Sequence, residues 1–192
     1  MHSRCLTCAK LLPTDGARRC GECLKTATPI TRCIAAVDYH EPWKSMIWEF
    51  KFRRNTALVE VIADIIRYIP DTQTMIDDAD DVVAIPLSKK RLVYRGYNHA
   101  KILADKLARD KDHSYLLKRI HHTQPQHTLT HSQRIKALKS VFTITSPQEI
   151  QQHKILLIDD VYTTGATLKC AAQTFLSAGA QSVSALVFAR TN

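Results

Sequence analysis

Residues 155–167, ILLIDDVYTTGAT, join an apolar run to two adjacent carboxylates, Asp159 and Asp160, and then to a Thr/Gly-rich turn. The apolar run predicts a buried strand, and open parallel sheets take their ligands at the carboxyl ends of their strands. Paired carboxylates at that edge accept hydrogen bonds from vicinal hydroxyls, such as the 2′ and 3′ hydroxyls of a ribose. Thr163, Thr164, Gly165, Ala166 and Thr167 follow at once and lead into a helical pattern. Backbone N–H groups at a helix start converge on an anion, and three Thr hydroxyls add donors. Gly165 and Ala166 let the backbone approach a phosphate closely. The combination reads as a diol site beside a phosphate site. A dinucleotide fingerprint needs G-x-G-x-x-G and a Walker loop needs a second Gly before G-K-[ST], whereas this turn has one Gly. A receiver-type acidic pocket places its Asp pair early in the domain and has no use for the Thr/Gly turn. A purely structural acidic turn does not account for a motif as long as DDVYTTGAT.

A second constellation lies near the N-terminus. Cys5, Cys8, Cys20 and Cys23 form two C-x2-C pairs separated by eleven residues. Paired C-x2-C turns place four thiolates around one tetrahedral Zn2+, which predicts a structural zinc ribbon over about residues 1–30. A module that small depends on its metal to fold. Cys33 and Cys170 fall in apolar patterns and read as core residues. His121, His122, His127 and His131 lack a helical i, i+4 face and read as a solvated segment rather than a second metal site.

Charge is unevenly spread. Residues 86–139 hold 13 Lys/Arg against three Asp, a local net charge of +10 in a chain whose total is +9. A field of that sign favours an anionic partner, a phosphorylated metabolite or a nucleic acid. Ser88, Lys89 and Lys90 follow the apolar run VVAIP and are candidates for contact with a diphosphate. Arg91, Arg95 and Arg134 are candidates for anion or nucleic-acid contact, and Tyr94, Tyr97 and Tyr162 are either stacking or packing aromatics. The N-terminus lacks an apolar signal region and no stretch has 18 consecutive apolar residues, so a cytoplasmic protein without membrane insertion is expected.

These residues need a scaffold. CIAAVDY (33–39), VVAIP (82–86), KILLID (154–159) and SVSALVFA (182–189) read as strands. Helices are predicted from Trp43, with Ile47 and Phe50 on one face, and through Leu58, Val61, Ile62, Ile65 and Ile69 up to Pro70. A further helix turns Ile102, Leu103 and Leu107 inward, and another runs from the TTGAT turn to Ala178. Residues 71–81 read as a polar surface connection, SKKRLVYRGYN as a basic loop, and residues 115–130 as a long loop, with Ser132 capping a short helix to Leu138. Strand–helix–strand spacing at the C-terminus predicts a parallel βαβ unit, hence an α/β fold. The division is a ribbon over 1–30 and an α/β domain over 31–192.

ILLIDDVYTTGAT resembles the phosphoribosyl pyrophosphate (PRPP) signature of type I phosphoribosyltransferases. The paired C-x2-C, YHEPWKSMIWEFKF (39–52), VVAIPLSKKRLVYRGYNHA (82–100), the T-x-x-Q-x-x-L at 123–129, Arg134 and Phe142 are similar to the ComF/GntX family, in the family's order. The resemblance implies a phosphoribosyltransferase-like parallel sheet flanked by helices. It also implies Asp159 and Asp160 on the ribose hydroxyls in the catalytic centre, residues 163–167 on the 5′-phosphate, and Mg2+ held with PRPP. Residues 115–140 correspond to a hood over the substrate. Natural competence, single-stranded DNA and a competence helicase-type partner are implied too, either with retained transfer chemistry or as a PRPP-sensing binder of single-stranded DNA. Two positions depart from the family pattern, Asn98-His99 where Asn-Gln is frequent and Ala137 where Asn is frequent, and both fall on the acceptor side. Lys51 and Phe52 match a Lys-Phe pair of the family.

Overall fold

Four apolar runs align side by side, because each is flanked on both faces by other apolar elements and must satisfy its backbone groups laterally. In the computed structural model, which describes residues 3–13, 16–120 and 141–191, β1 (Cys33–Asp38), β2 (Asp81–Ala84), β5 (Lys154–Tyr162) and β6 (Ser182–Arg190) form a sheet in the order β1-β6-β5-β2. All three pairings are parallel. Side chains alternate between its faces. Ile155, Leu157, Val183, Ala185 and Val187 enter one buried cluster, and Leu156, Ile158, Leu186 and Phe188 the other.

The first face is covered by α7 (Ala166–Ser177), by the short antiparallel pair β3 (Leu117–Arg119) and β4 (Phe142–Ile144), and by the Cys-rich N-terminal stretch, which contains α1 (Gly21–Lys25). Cys5, Cys8, Ala9 and Leu12 share one cluster with Tyr162, Leu168 and Phe175, so this stretch is seated on the sheet. The second face carries α2 (Trp43–Phe52), α3 (Leu58–Arg67), α4 (Thr72–Asp77) and α6 (His99–Ala108). The product is an α/β fold with a parallel sheet between helices, as expected from the motifs.

Several local expectations are corrected. In α3 the buried residues are Val59, Ile62, Ala63 and Ile66, while Val61 is 45% exposed. The segment is apolar almost all round, and Glu60, Asp64 and Arg67 turn outward and take Val61 with them. Residues 71–81 are no mere connection, since α4 buries Thr72, Met75 and Ile76, and Asp81 already opens β2. The supposed basic loop contains α5 (Lys89–Arg95), whose N-cap Ser88 accepts a hydrogen bond from the Arg91 N–H and whose C-cap is Gly96. In α6, Leu103 and Leu107 are buried as expected, whereas Ile102 is only partly buried. Residues 117–119 are a strand rather than loop, anchored by buried Leu116 and Leu117. The expected helix from Ser132 to Leu138 and the rest of the predicted loop lie outside the described residues.

Neighbouring positions in α3 check the burial pattern. Ile62→Ala should lower unfolding free energy by about 2–5 kcal/mol, whereas Val61→Ala should change it by less than about 1 kcal/mol. Urea unfolding of both variants tests this, and equal losses would contradict the orientation of α3.

Candidate functional site

β2 ends at Ala84, opposite Ile158, while β5 continues against β6 through Tyr162. Asp159 and Asp160 therefore project past the end of β2 at the carboxyl edge of the sheet. They lie inside β5, which runs on to Tyr162, three residues past the Asp159 end expected from the sequence. Each keeps partial exposure.

Two adjacent carboxylates at the rim of a core repel each other and lose hydration, and the structure answers this with a cation. Lys51 Nζ, at the end of α2, lies 2.7 Å from Asp160 Oδ1, with both side chains 15% exposed. The Asp160 N–H donates to Asp159 Oδ1 at 2.8 Å. Burial first, and the neighbouring Asp160 charge second, raise the Asp159 pKa to about 7, against the lowering effects of the Asp160 N–H, Lys51 and Arg95. Asp160 is thus held in an ion pair, and Asp159 is a group that readily exchanges a proton near neutrality.

Beyond Tyr162 the chain turns sharply. Gly165 has φ +75°, and a Cβ built there would stand 2.2 Å from the Tyr162 hydroxyl, so only glycine fits. Thr163, Thr164, Ala166 and Thr167 are exposed around this turn. The first N–H groups of α7, a 12-residue helix, point into the same space without intrahelical acceptors. On the neighbouring strand, Ser88, Lys89, Lys90 and Arg91 follow β2 on the same edge. Arg95 lies with its guanidinium 5.0 Å over the Phe52 ring and acts electrostatically on Asp159. Arg134 lies outside the described residues, as do the four histidines of 121–131.

Of the three tyrosines, Tyr94 is 73% exposed, Tyr97 donates from its hydroxyl to the Phe50 carbonyl, and Tyr162 is 1% exposed. Tyr162 is therefore a packing residue and not a stacking platform. Sequence reasoning missed two neighbours of the carboxylates. Lys51 was visible as half of a Lys-Phe pair, but its role as the counter-ion of Asp160 rests on a contact across 109 residues. His99 is 1% exposed, lies 5.0 Å edge-on from Phe50 and 4.5 Å from Tyr97, and among the described residues neither ring nitrogen has a hydrogen-bond partner. Burial pushes its pKa down to about 4, which keeps the ring neutral.

The four N-terminal cysteines are gathered as their spacing requires. Their sulfur atoms all lie within 4.8 Å of one another, and Cys8 Sγ is 3.7 Å from Cys20 Sγ. A tetrahedral ion with metal–sulfur bonds of about 2.3 Å sets sulfurs about 3.8 Å apart, so the donor set fits a metal of the zinc type. Among the described residues this is the sole group of three or more His, Cys, Asp or Glu at ligand spacing. Cys33 is buried at the start of β1 and Cys170 is half-buried in α7, each outside the cluster. No helix among the described residues is long and apolar enough to cross a membrane.

The phosphoribosyl transferase domain family matches residues 54–192, which include the Asp pair, the Thr/Gly turn and the cationic segment. The chain is 29% identical over 178 residues to the DNA utilization protein YhgH of Escherichia coli strain K12, covering 90% of this chain and 78% of that protein. It is 31% identical over 159 residues to Competence protein F of Haemophilus influenzae, covering 79% of this chain and 69% of the relative. Competence protein ComFC of Bacillus subtilis is 31% identical over 159 residues, 80% of this chain and 62% of the relative. With the domain match spanning most of its length and Competence protein F 31% identical over 79% of it, the chain belongs to the ComF family of phosphoribosyltransferase-like proteins.

Proposed function

We propose that the carboxyl edge of β5 binds PRPP with Mg2+, and that the protein handles single-stranded DNA in competence. The observation that carries the first part is the adjacency of a paired-carboxylate site and an open anion cradle on one strand–turn–helix segment. Asp159 and Asp160 would accept from the ribose 2′ and 3′ hydroxyls. The 5′-phosphate would sit against the N–H groups and hydroxyls of residues 163–167. The residues following β2, Ser88, Lys89 and Lys90, would face the diphosphate. Mg2+ takes oxygen ligands largely from phosphates, so it would arrive with PRPP and need little from the chain. The cysteine cluster would hold a structural Zn2+, which keeps its thiols out of disulfides and suits a reducing cytoplasm.

If the site transfers the phosphoribosyl group, a nitrogen nucleophile forms a bond to ribose C1 as the C1–oxygen bond to diphosphate breaks. The bonding pair leaves with the diphosphate oxygen, and the nucleophile's proton goes to solvent or a base. The chain's contribution is positioning and stabilisation of the leaving anion. His99, neutral and buried where family members frequently carry Gln, removes an amide from the acceptor side and is consistent with a narrowed or lost acceptor specificity.

A strip of exposed aromatics beside the pocket favours the DNA-handling part. Trp48, Phe52 and Tyr94 are 49%, 43% and 73% exposed. Their rings follow one another at 6.0 and 6.4 Å, with Arg53 5.2 Å over Trp48 and Arg95 5.0 Å over Phe52. Aromatic faces interleaved with guanidinium groups make a stacking surface for unpaired bases along a cationic track.

Four measurements test these readings. Asp160→Asn should weaken Mg-PRPP affinity about tenfold or more, since a carboxylate acceptor becomes an amide; unchanged affinity would remove the ribose assignment. Pyrophosphate release from PRPP across a panel of amines and bases decides whether transfer is retained. For the ligand-free protein, Asp159 binds a proton more tightly folded than unfolded. Its contribution to stability is full below the ordinary carboxylate range and is lost as pH rises through about 7. The difference in thermal midpoint between Asp159→Asn and wild type should therefore move in favour of the variant as pH rises from about 4 to 8; a difference that does not change with pH would contradict the raised pKa. Trp48→Ala and Tyr94→Ala should each weaken single-stranded DNA binding about tenfold while sparing PRPP affinity, and the binding should fall steeply with salt. DNA affinity that ignores both substitutions would place the nucleic acid elsewhere.

A further inference from the structure

Arg190, the last residue of β6, is a long cation 8% exposed. Its guanidinium spans the Cys-rich stretch and the phosphate turn. Nε donates to the Cys8 carbonyl at 2.9 Å. Nη1 donates to the Thr163 carbonyl at 2.7 Å, to the Tyr162 carbonyl at 3.2 Å, and to Thr191. Its carbon lies 4.5 Å over the Tyr162 ring, and that ring fills the space under Gly165. A planar guanidinium presents its donors in a fixed fork, so these contacts cannot be changed one at a time.

The other end of the fork rests on the cysteine cluster. Cys8 is the second thiol of the first C-x2-C pair, and the next residue, Ala9, is fully buried with φ +56°. An alanine in the left-handed region persists only where its surroundings impose it. Here these are the Ala9 N–H to Cys5 carbonyl bond of 2.8 Å, the Arg4 guanidinium on the Ala9 carbonyl at 3.0 Å, and the convergence of the four thiols. A metal held by Cys5, Cys8, Cys20 and Cys23 would fix where the Cys8 carbonyl points. The thiols alone leave that direction to a strained backbone.

We propose that metal loading of the cysteine cluster sets the conformation of the turn at residues 163–167 through Arg190, so that the affinity of this turn for a sugar phosphate responds to zinc. Arg190 is a positioning residue, remote from ligand and acting through the Thr163 carbonyl and the Tyr162 ring. The affinity consequence rests on the ribose-phosphate reading above. The conformational link does not.

Amide hydrogen exchange of the full chain separates the two. The Lys169 N–H, bonded to the Gly165 carbonyl at 2.8 Å, and the Thr191 N–H, bonded to the Tyr162 carbonyl at 3.1 Å, report on either side of the turn. Removing zinc with a chelator selective over Mg2+ should speed exchange at both about tenfold, with amides of β2 and β5 still protected. Arg190→Gln and Arg190→Lys, zinc-loaded, should show the same rise, and stripping zinc from them should add less than about twofold. Mg-PRPP affinity should fall in parallel. Unchanged exchange on zinc removal, or zinc and Arg190 effects that multiply, would overturn the link. Should the stripped wild type unfold, the zinc-loaded variants decide, and native exchange at Lys169 and Thr191 in both would overturn it. A zinc-loaded wild type that follows the exchange pattern yet fails to bind Mg-PRPP would sink the ribose-phosphate reading and leave the link intact.

Discussion

The Lys51–Asp160 ion pair is the constraint around which this edge of the sheet is arranged. Two consecutive carboxylates in a half-buried position repel each other and lose hydration, and neither a sheet nor a turn compensates them without a cation. Lys51 supplies the charge at 2.7 Å from α2, an element on the opposite side of the chain in sequence. This fixes the end of α2 beside β5. The share of the repulsion that remains falls on Asp159, whose pKa rises to about 7 mainly through burial. A ligand bringing hydroxyl donors and a divalent cation would stabilise both carboxylates.

The same edge shows how the layers divide the work. β5 and β6 supply a rigid floor whose two faces are filled by alternate residues of the same strands. α7 supplies N–H groups and a positive-φ glycine seated over Tyr162. The strand β2 stops short and hands over to the Ser88-capped α5 with its three consecutive cations. On the far side of the turn, Arg190 ties the carbonyl of Cys8 to that of Thr163. A Cys-rich stretch that looks like an appendage in the sequence shares its buried cluster with Tyr162 and Leu168, the residues that flank the Thr/Gly turn.

What could be read from the sequence followed from how local each signal is. ILLIDDVYTTGAT and the two C-x2-C pairs are contiguous or closely spaced, so their chemistry was legible, and so were the strands, whose apolar runs are buried on both faces. The helix α5 reads as loop in the sequence because it buries no residue and so has no hydrophobic period, although Ser88 and Gly96 mark its two caps. In α3 an almost continuous apolar sequence, LVEVIADIIR, did not reveal which stripe faces the core, and only packing against α6 and the sheet turns Ile62 in and Val61 out. The short helix α4 was hidden by the acidic residues around Met75 and Ile76. The partners of Asp160 and of the Cys8 carbonyl, Lys51 and Arg190, are set by contacts between distant segments, and no spacing rule reaches them.

The central claim is that one strand–turn–helix segment recognises the 5-phosphoribosyl group as a unit. Calorimetric titration with Mg2+ and three ligands tests it most directly: PRPP, an analogue lacking the 2′ and 3′ hydroxyls, and inorganic pyrophosphate. The account predicts saturable binding of one PRPP per chain, with affinity lost by about two orders of magnitude or more for the analogue and for pyrophosphate alone. Equal affinity for all three would show that the cations bind the diphosphate without help from Asp159, Asp160 and the Thr/Gly turn, and would contradict it.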